Sequence, residues 1–77
     1  SPSFKLFPNP AKDFIYIEKS IDAAAQIKIF DSKGRLVFAE KMTTKTLAIP
    51  TYFGTGVFEV MLEMKGKIVV KKIIVQK

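Results

Sequence analysis

Glu59 and Glu63 are the closest the sequence comes to a pair of cooperating carboxylates. They share one face of an apolar run, with Met61 between them. On a strand rising about 3.4 Å per residue their Cα atoms stand roughly 13–14 Å apart. Glycoside hydrolysis needs carboxyls separated by at most about 9.5 Å, so the pair reads as a solvated strand face. Asp31-Ser32-Lys33-Gly34 places one carboxylate and one lysine within a turn. That is too few oxygen ligands for calcium, and Asp31 is expected to bond its own turn backbone instead. Gly54-Thr55-Gly56 has neither the following lysine nor the helix of a phosphate loop. The chain contains no Cys and no His. Thiol nucleophiles, zinc knuckles, iron–sulfur ligation and the commonest general base are therefore excluded. No enzyme activity, metal or cofactor is expected.

Charge is the remaining chemical resource. Thirteen Lys and Arg against seven Asp and Glu give a formal charge of +6, and Lys65, Lys67, Lys71, Lys72 and Lys77 gather at the end of the chain. A nucleic-acid reader would interleave exposed aromatics with such a stripe. Phe58, the nearby aromatic, instead falls on one face with Val60 and Leu62, a core pattern, so no nucleic-acid partner is expected. Lysines within Ile68–Val75 read as protection of an apolar strand against edge-to-edge pairing. No stretch approaches the roughly 20 apolar residues of a membrane helix, and no membrane insertion is expected.

The elements that must position these residues are strands. The 77 residues, 48% apolar, suffice for one domain with one core. Alternation at period two dominates. Phe4-Lys5-Leu6 alternates and stops at Phe7-Pro8-Asn9-Pro10, read as an extended entry outside any ladder with Pro-Asn-Pro as a turn. Asp13–Glu18 reads as a strand apolar on both faces, hence central or covered. Ala23-Ala24-Ala25 offers a competing helical window. The strand period of Ile27 and Ile29, taken up again at Leu36 and Val37, favours a loop leading into a strand from Ala25 to Phe30. Asp31-Ser32-Lys33-Gly34 then predicts a three-residue hairpin turn, with Gly34 at positive φ and Arg35–Lys41 returning as the partner. A bulge at Gly34 sets Ile29 near Val37; without it, Ile29 faces Leu36. Met42–Thr46 reads as loop or weak edge, Leu47–Ile49 as a short strand stopped by Pro50, and Thr51–Gly56 as a loop. Val57–Met64 and Lys67–Val75 flank a two-residue turn at Lys65-Gly66. That register places Leu62 on Val69, Val60 on Lys71, Phe58 on Ile73 and Glu59 on Lys72. The sum is an all-β, immunoglobulin-like antiparallel β-sandwich of about seven short strands.

Three segments, taken in order, resemble one family. Phe7-Pro8-Asn9-Pro10-Ala11-Lys12-Asp13-Phe14 is similar to the opening of the type A C-terminal sorting domains of type IX (Por) secretion. Ile27–Val37, with Gly34 and Arg35, resembles their middle hairpin. Gly56-Val57-Phe58-Glu59-Val60, followed by Lys71-Lys72-Ile73-Ile74-Val75-Gln76-Lys77, resembles their ending. Phe58 stands where a tyrosine is usual, and Thr51–Thr55 is about a residue longer than the common loop, with Phe53 taking a leucine's packing role.

The resemblance implies a non-catalytic domain, residues 1–77, at the C-terminus of a longer secreted protein of a Bacteroidetes-type bacterium, in keeping with an opening Ser1-Pro2-Ser3 that lacks an initiator Met. It implies that the cargo passes the periplasm, that the folded domain is recognised at the outer-membrane type IX translocon, and that a cell-surface sortase removes it and attaches the cargo to anionic lipopolysaccharide. The signal residues it implies are Pro8, Asn9, Pro10, Gly34, Arg35, Gly56, Lys71, Lys72, Ile73, Ile74, Val75, Gln76 and Lys77. Because Ile68–Val75 ends two residues from the terminus, the translocon is expected to read the final strand by strand addition and lysine contacts. Unpaired edges also allow a strand-mediated dimer. A second function class is a carbohydrate-binding or adhesive module of the same architecture. It would present Tyr16, Phe30, Tyr52 and Phe53 as a flat exposed platform, and of these Tyr52 is the one expected at the surface.

Overall fold

The computed structural model describes residues 3–77. Seven strands run in the order β1 (Phe4–Phe7), β2 (Phe14–Lys19), β3 (Ala25–Phe30), β4 (Leu36–Met42), β5 (Thr46–Pro50), β6 (Gly56–Met64) and β7 (Lys67–Val75). They form a three-stranded sheet, β1-β2-β5, and a four-stranded sheet, β4-β3-β6-β7, and neighbouring strands are antiparallel. This is the all-β, immunoglobulin-like sandwich that the alternation implies.

Period two builds the core directly. Ile15 and Ile17 of β2 and Ile49 of β5 face Ile27 and Ile29 of β3, Phe58, Val60 and Leu62 of β6, and Ile73 and Val75 of β7, all buried. Each such side chain contributes about 1.5–3 kcal/mol when withdrawn from water. In a chain without cysteine this layer supplies the stabilisation a disulfide would otherwise give. Ala25 is the first residue of β3, so the alanine run lies in loop and strand rather than in a helix.

The β6–β7 hairpin has the register expected, with Met64 opposite Lys67, Leu62 opposite Val69, Glu59 opposite Lys72 and Phe58 opposite Ile73. Lys65 (φ 52°) and Gly66 (φ 76°) both take the left-handed backbone that a two-residue hairpin of this hand requires. The β3–β4 hairpin departs from both registers weighed above. Gly34 does form the expected bulge, at φ 79°. A second irregularity between Ile29 and Phe30 then takes Phe30 to Leu36 and Ile29 to Phe38. The extra residue, Val37, lets both Val37 and Phe38 pack against the core, which explains why the ladder tolerates it.

Two further expectations change. Met42 is not loop: it ends β4 opposite Ala25 and is buried. The β1 ladder continues through Phe7, which pairs with Tyr16, so only Pro8–Pro10 lies outside it. Strand β2 is central, between β1 and β5, one of the two placements expected for it, and among the described residues no further strand layer covers its outer face. Phe14 and Tyr16 are exposed there. Tyr16 stacks on Phe7 at 5.7 Å between centroids and 18° between planes, and Phe14 lies 6.1 Å from Tyr16. These rings shield one another across the strands. At the end of β2, Lys19 is buried and its Nζ donates to the Ala23 carbonyl, which pairs an amine that burial would otherwise leave costly.

Candidate functional site

The site is built on the last strand. In an antiparallel strand, N–H and C=O of one residue point to the same side, and successive residues alternate. In β7, Lys67, Val69, Lys71, Ile73 and Val75 address β6; Ile68, Val70, Lys72 and Ile74 address the opposite side. Among the described residues no strand adjoins that side, because β7 ends its sheet.

At the C-terminal end of β7 this outward edge is nonetheless occupied. The Ile74 N–H donates to Asn9 Oδ1 at 3.1 Å. The Ala11 N–H donates to the Ile74 carbonyl at 2.7 Å, and the Gln76 N–H donates to the Ala11 carbonyl at 2.8 Å. Ala11 and Val75 thus form an isolated parallel bridge. Pro8 and Pro10 carry no N–H, so the pairing falls to the Asn9 side chain and the Ala11 backbone. Both the Phe7–Pro8 and Asn9–Pro10 peptides are cis. Thr51 fastens the arrangement from behind. Its N–H donates to the Asp13 carbonyl at 3.0 Å and its hydroxyl to the Lys12 carbonyl at 2.6 Å. Its own carbonyl accepts from Lys77 Nζ at 2.8 Å. The beginning and the end of the chain therefore meet in one clasp.

Nearer the turn the edge is open. Among the described residues no hydrogen bond meets the outward N–H and C=O groups of Ile68, Val70 and Lys72. Ile68 and Val70 are exposed at 59% and 51%, so an unpaired backbone and apolar side chains are presented together. On the inner side the Lys71 ammonium lies 5.4 Å from the Phe4 ring centroid, a cation–π contact joining the margins of the two sheets.

The β3–β4 turn lies beside this strand. Asp31 Oδ1 accepts from the N–H groups of Lys33 and Arg35, both at 2.9 Å, and Oδ2 accepts from Arg35 Nε at 2.8 Å. The Arg35 N–H, with the Arg35 side chain and the Lys33 N–H, holds the Asp31 carboxyl below its ordinary value, against a smaller opposing effect of desolvation. Asp31, Ser32 and Gly34 line a hollow of about 350 Å3 together with Val57, Glu59 and Lys72 of the β6–β7 hairpin.

The sequence-predicted residues thus fall into two neighbouring groups. Pro8, Asn9, Pro10, Ile74, Val75, Gln76 and Lys77 make or flank the clasp, with Gly56 opposite Val75. Gly34 and Lys72 share the hollow, and Arg35 holds Asp31 at its rim. Ile73 is buried and Lys71 turns inward onto Phe4. Sequence reading missed the clasp's working partners, Ala11 and Thr51. Ala11 is small, follows a proline and sits in the opening motif, a signal that could have drawn notice. Nothing separates a buried Thr51 from any other loop threonine.

The secretion system C-terminal sorting domain family matches residues 5–76 of this chain. The chain belongs to that family. The matched span begins in β1 and ends one residue past β7, so it holds both halves of the clasp. Members carry the C-terminal signal of type IX secretion, whose cargo is secreted and reaches the cell surface. Among solved structures, PorZ is similar with a TM-score of 0.83 and 21% identity; it is described as an essential bacterial surface component of the type IX secretion system of Porphyromonas gingivalis. The likeness covers 97% of this chain but 12% of that one, and it is a likeness of fold. No curated protein matches the chain.

The aromatic residues do not make one flat platform. Tyr52 is 69% exposed, as expected, but Tyr16 is exposed as well, against expectation; Tyr52 meets Phe53 edge-on, and Phe53 in turn packs on Phe58 at 4.9 Å. Tyr16 lies in the stack on the three-stranded sheet and Phe30 is half-buried in the other. Phe7 and Tyr16 are stacked on each other, an offset pairing that turns their faces toward one another rather than side by side toward a sugar.

Proposed function

We propose that the chain is the C-terminal module of a longer secreted protein and is recognised, folded, by the outer-membrane type IX translocon of a Gram-negative bacterium after its cargo has entered the periplasm. A cell-surface sortase then cleaves the domain from the cargo, and the cargo is attached to anionic lipopolysaccharide. The domain's part is to be recognised; it contributes no reacting group.

The observation that supports this reading most is the clasp. Asn9 and Ala11 hold Ile74 and Gln76 in an extended, ordered conformation at the terminus of the chain. A terminal segment without such partners frays. Here β7 runs as a strand to Val75, Gln76 stays bonded to Ala11, and Lys72 of the same strand shares a hollow with the Gly34 turn.

Fusing the 77 residues to a periplasmic reporter in a type IX-competent host tests the reading. Surface appearance of the reporter is expected, together with its loss when Ile73–Lys77 is deleted. A reporter that stays in the periplasm with the intact domain, or reaches the surface without those residues, contradicts it. Shedding of the domain, seen as a mass loss in the surface form, is the separate readout of sortase action.

A further inference from the structure

We infer that the open stretch of β7, Ile68–Lys72, receives an extended segment of a partner protein as an added strand, and that this segment is apolar where it meets Ile68 and Val70 and acidic where it meets Lys71 and Lys72. The inference deepens the sorting reading and rests on it. It names the place and the chemistry of the contact.

Three observations converge. The outward backbone groups of Ile68, Val70 and Lys72 are the ones an incoming strand would bond, and they are free among the described residues. The clasp ends the free stretch, because Ile74 and Gln76 are already paired with Asn9 and Ala11. An added strand therefore has a fixed stop and spans about five residues, which sets its register where a uniform edge would let it slide. The side chains then state what the partner must bring. A residue opposite Val70 or Ile68 lies on the outer face beside an exposed apolar side chain. A residue opposite Lys72 meets a lysine whose cross-strand partner is Glu59, and one opposite Lys71 meets the ammonium above Phe4. Backbone bonds supply affinity, and alternate side chains supply selectivity.

A second copy of the chain fits this edge less well. Each copy carries +6, and antiparallel self-pairing about Val70 would bring Lys67, Lys71 and Lys72 of both copies to one seam, where like charges oppose association. An acidic segment meets the same lysines with attraction, weakened by salt.

The test uses two probes and two readouts. The acetylated pentapeptide amide Glu-Glu-Val-Thr-Ile, antiparallel to β7, sets its carboxylates against Lys72 and Lys71. Added to the chain, it is expected to shift the amide signals of Ile68, Val70 and Lys72 and to bind at least tenfold more tightly than Lys-Lys-Val-Thr-Ile. Equal binding of the two peptides, or shifts away from β7, overturns the inference. So does concentration-dependent shifting of the same amides without peptide, which assigns the edge to a second copy. In the secretion assay, Val70→Pro removes one outward donor and leaves the bonds to β6 intact, a change edge strands tolerate. It is expected to lower surface arrival at least tenfold with an unchanged melting temperature, whereas Val70→Thr keeps arrival near the parent level. If Val70→Pro lowers the melting temperature, Ile68→Pro is the second variant, and the peptide pair needs no substitution at all. Normal secretion of a folded Val70→Pro chain overturns the inference and leaves the sorting reading standing. Failure of the parent fusion to be secreted overturns the sorting reading itself.

Discussion

The two halves of β7 share one strand, one partner in β6 and one alternation of side chains, yet their free edges differ. From Ile74 onward the edge is closed by Asn9 and Ala11; from Ile68 to Lys72 it is bare among the described residues. The inner side chains follow the same division. Ile73 and Val75 are fully buried, Val69 is half-buried, and Lys67 and Lys71 are exposed. The difference teaches that being the last strand of a sheet does not make a strand uniformly sticky. A short segment from the other end of the chain covers the part nearest the terminus. It leaves a bounded, lysine-flanked window rather than a long edge prone to aggregation.

The largest effect should come from the core beneath the closed half. Ile73→Ala is expected to cost about 2–5 kcal/mol, whereas Ile68→Ala in the open half should change stability by less than about 0.5 kcal/mol. Denaturant midpoints of the two variants measure this, and similar losses would erase the comparison. The other hairpin supplies a control. Gly34 has φ 79° and open space where a Cβ would go, so Gly34→Ala should cost more than about 1 kcal/mol through backbone strain alone, leaving the β7 amides as they are. An unchanged midpoint would show that the turn relaxes freely.

Asn9→Ala sharpens the comparison at a single bond. It removes the acceptor of the Ile74 N–H and should cost about 0.5–1.5 kcal/mol, with faster exchange confined to the end of β7. The smallest effect concerns Asp31. Its carboxyl titrates below the ordinary value because the folded turn stabilises the charged form. The stability it lends is therefore complete above the unfolded-state pKa of about 3.9 and is lost as pH falls through the lowered folded value. Arg35→Ala should raise the Asp31 midpoint only part of the way, because the backbone N–H remains, and should leave β7 unchanged. Carbon-detected titration of the carboxyl follows both.

How far the sequence spoke for this molecule differs between its parts for physical reasons. The β6–β7 register was legible residue by residue because a two-residue turn leaves one way to pair Met64 with Lys67. The β3–β4 register was not. The bulge at Val37 is chosen by how Val37 and Phe38 fill the core, and no local propensity reports that. The two apolar faces of β2 imply a central or covered strand, and the strand is central, but the stacking that shields Phe14 and Tyr16 was not legible, since an apolar residue shielded by stacking looks in sequence like one shielded by another layer. The clasp was hidden most thoroughly. Its deciding bond joins residues 65 positions apart through a side chain, and Asn9 between two prolines signals only a turn. Family resemblance marked the residues at both ends of the clasp, but their contact is a fact of the fold.

Native-state hydrogen exchange, resolved along β7, distinguishes a clasped edge from an open one amide by amide. The Ile74 and Gln76 amides are expected to be protected well above the Ile68, Val70 and Lys72 amides, which should exchange close to the rate of unstructured chain. Val69, Lys71 and Ile73, bonded toward β6, serve as internal references of high protection. Equal protection along the outward-facing amides, or free exchange at Ile74 and Gln76, would mean that the chain's two ends do not hold each other, and the bounded window with its docking role would have no basis.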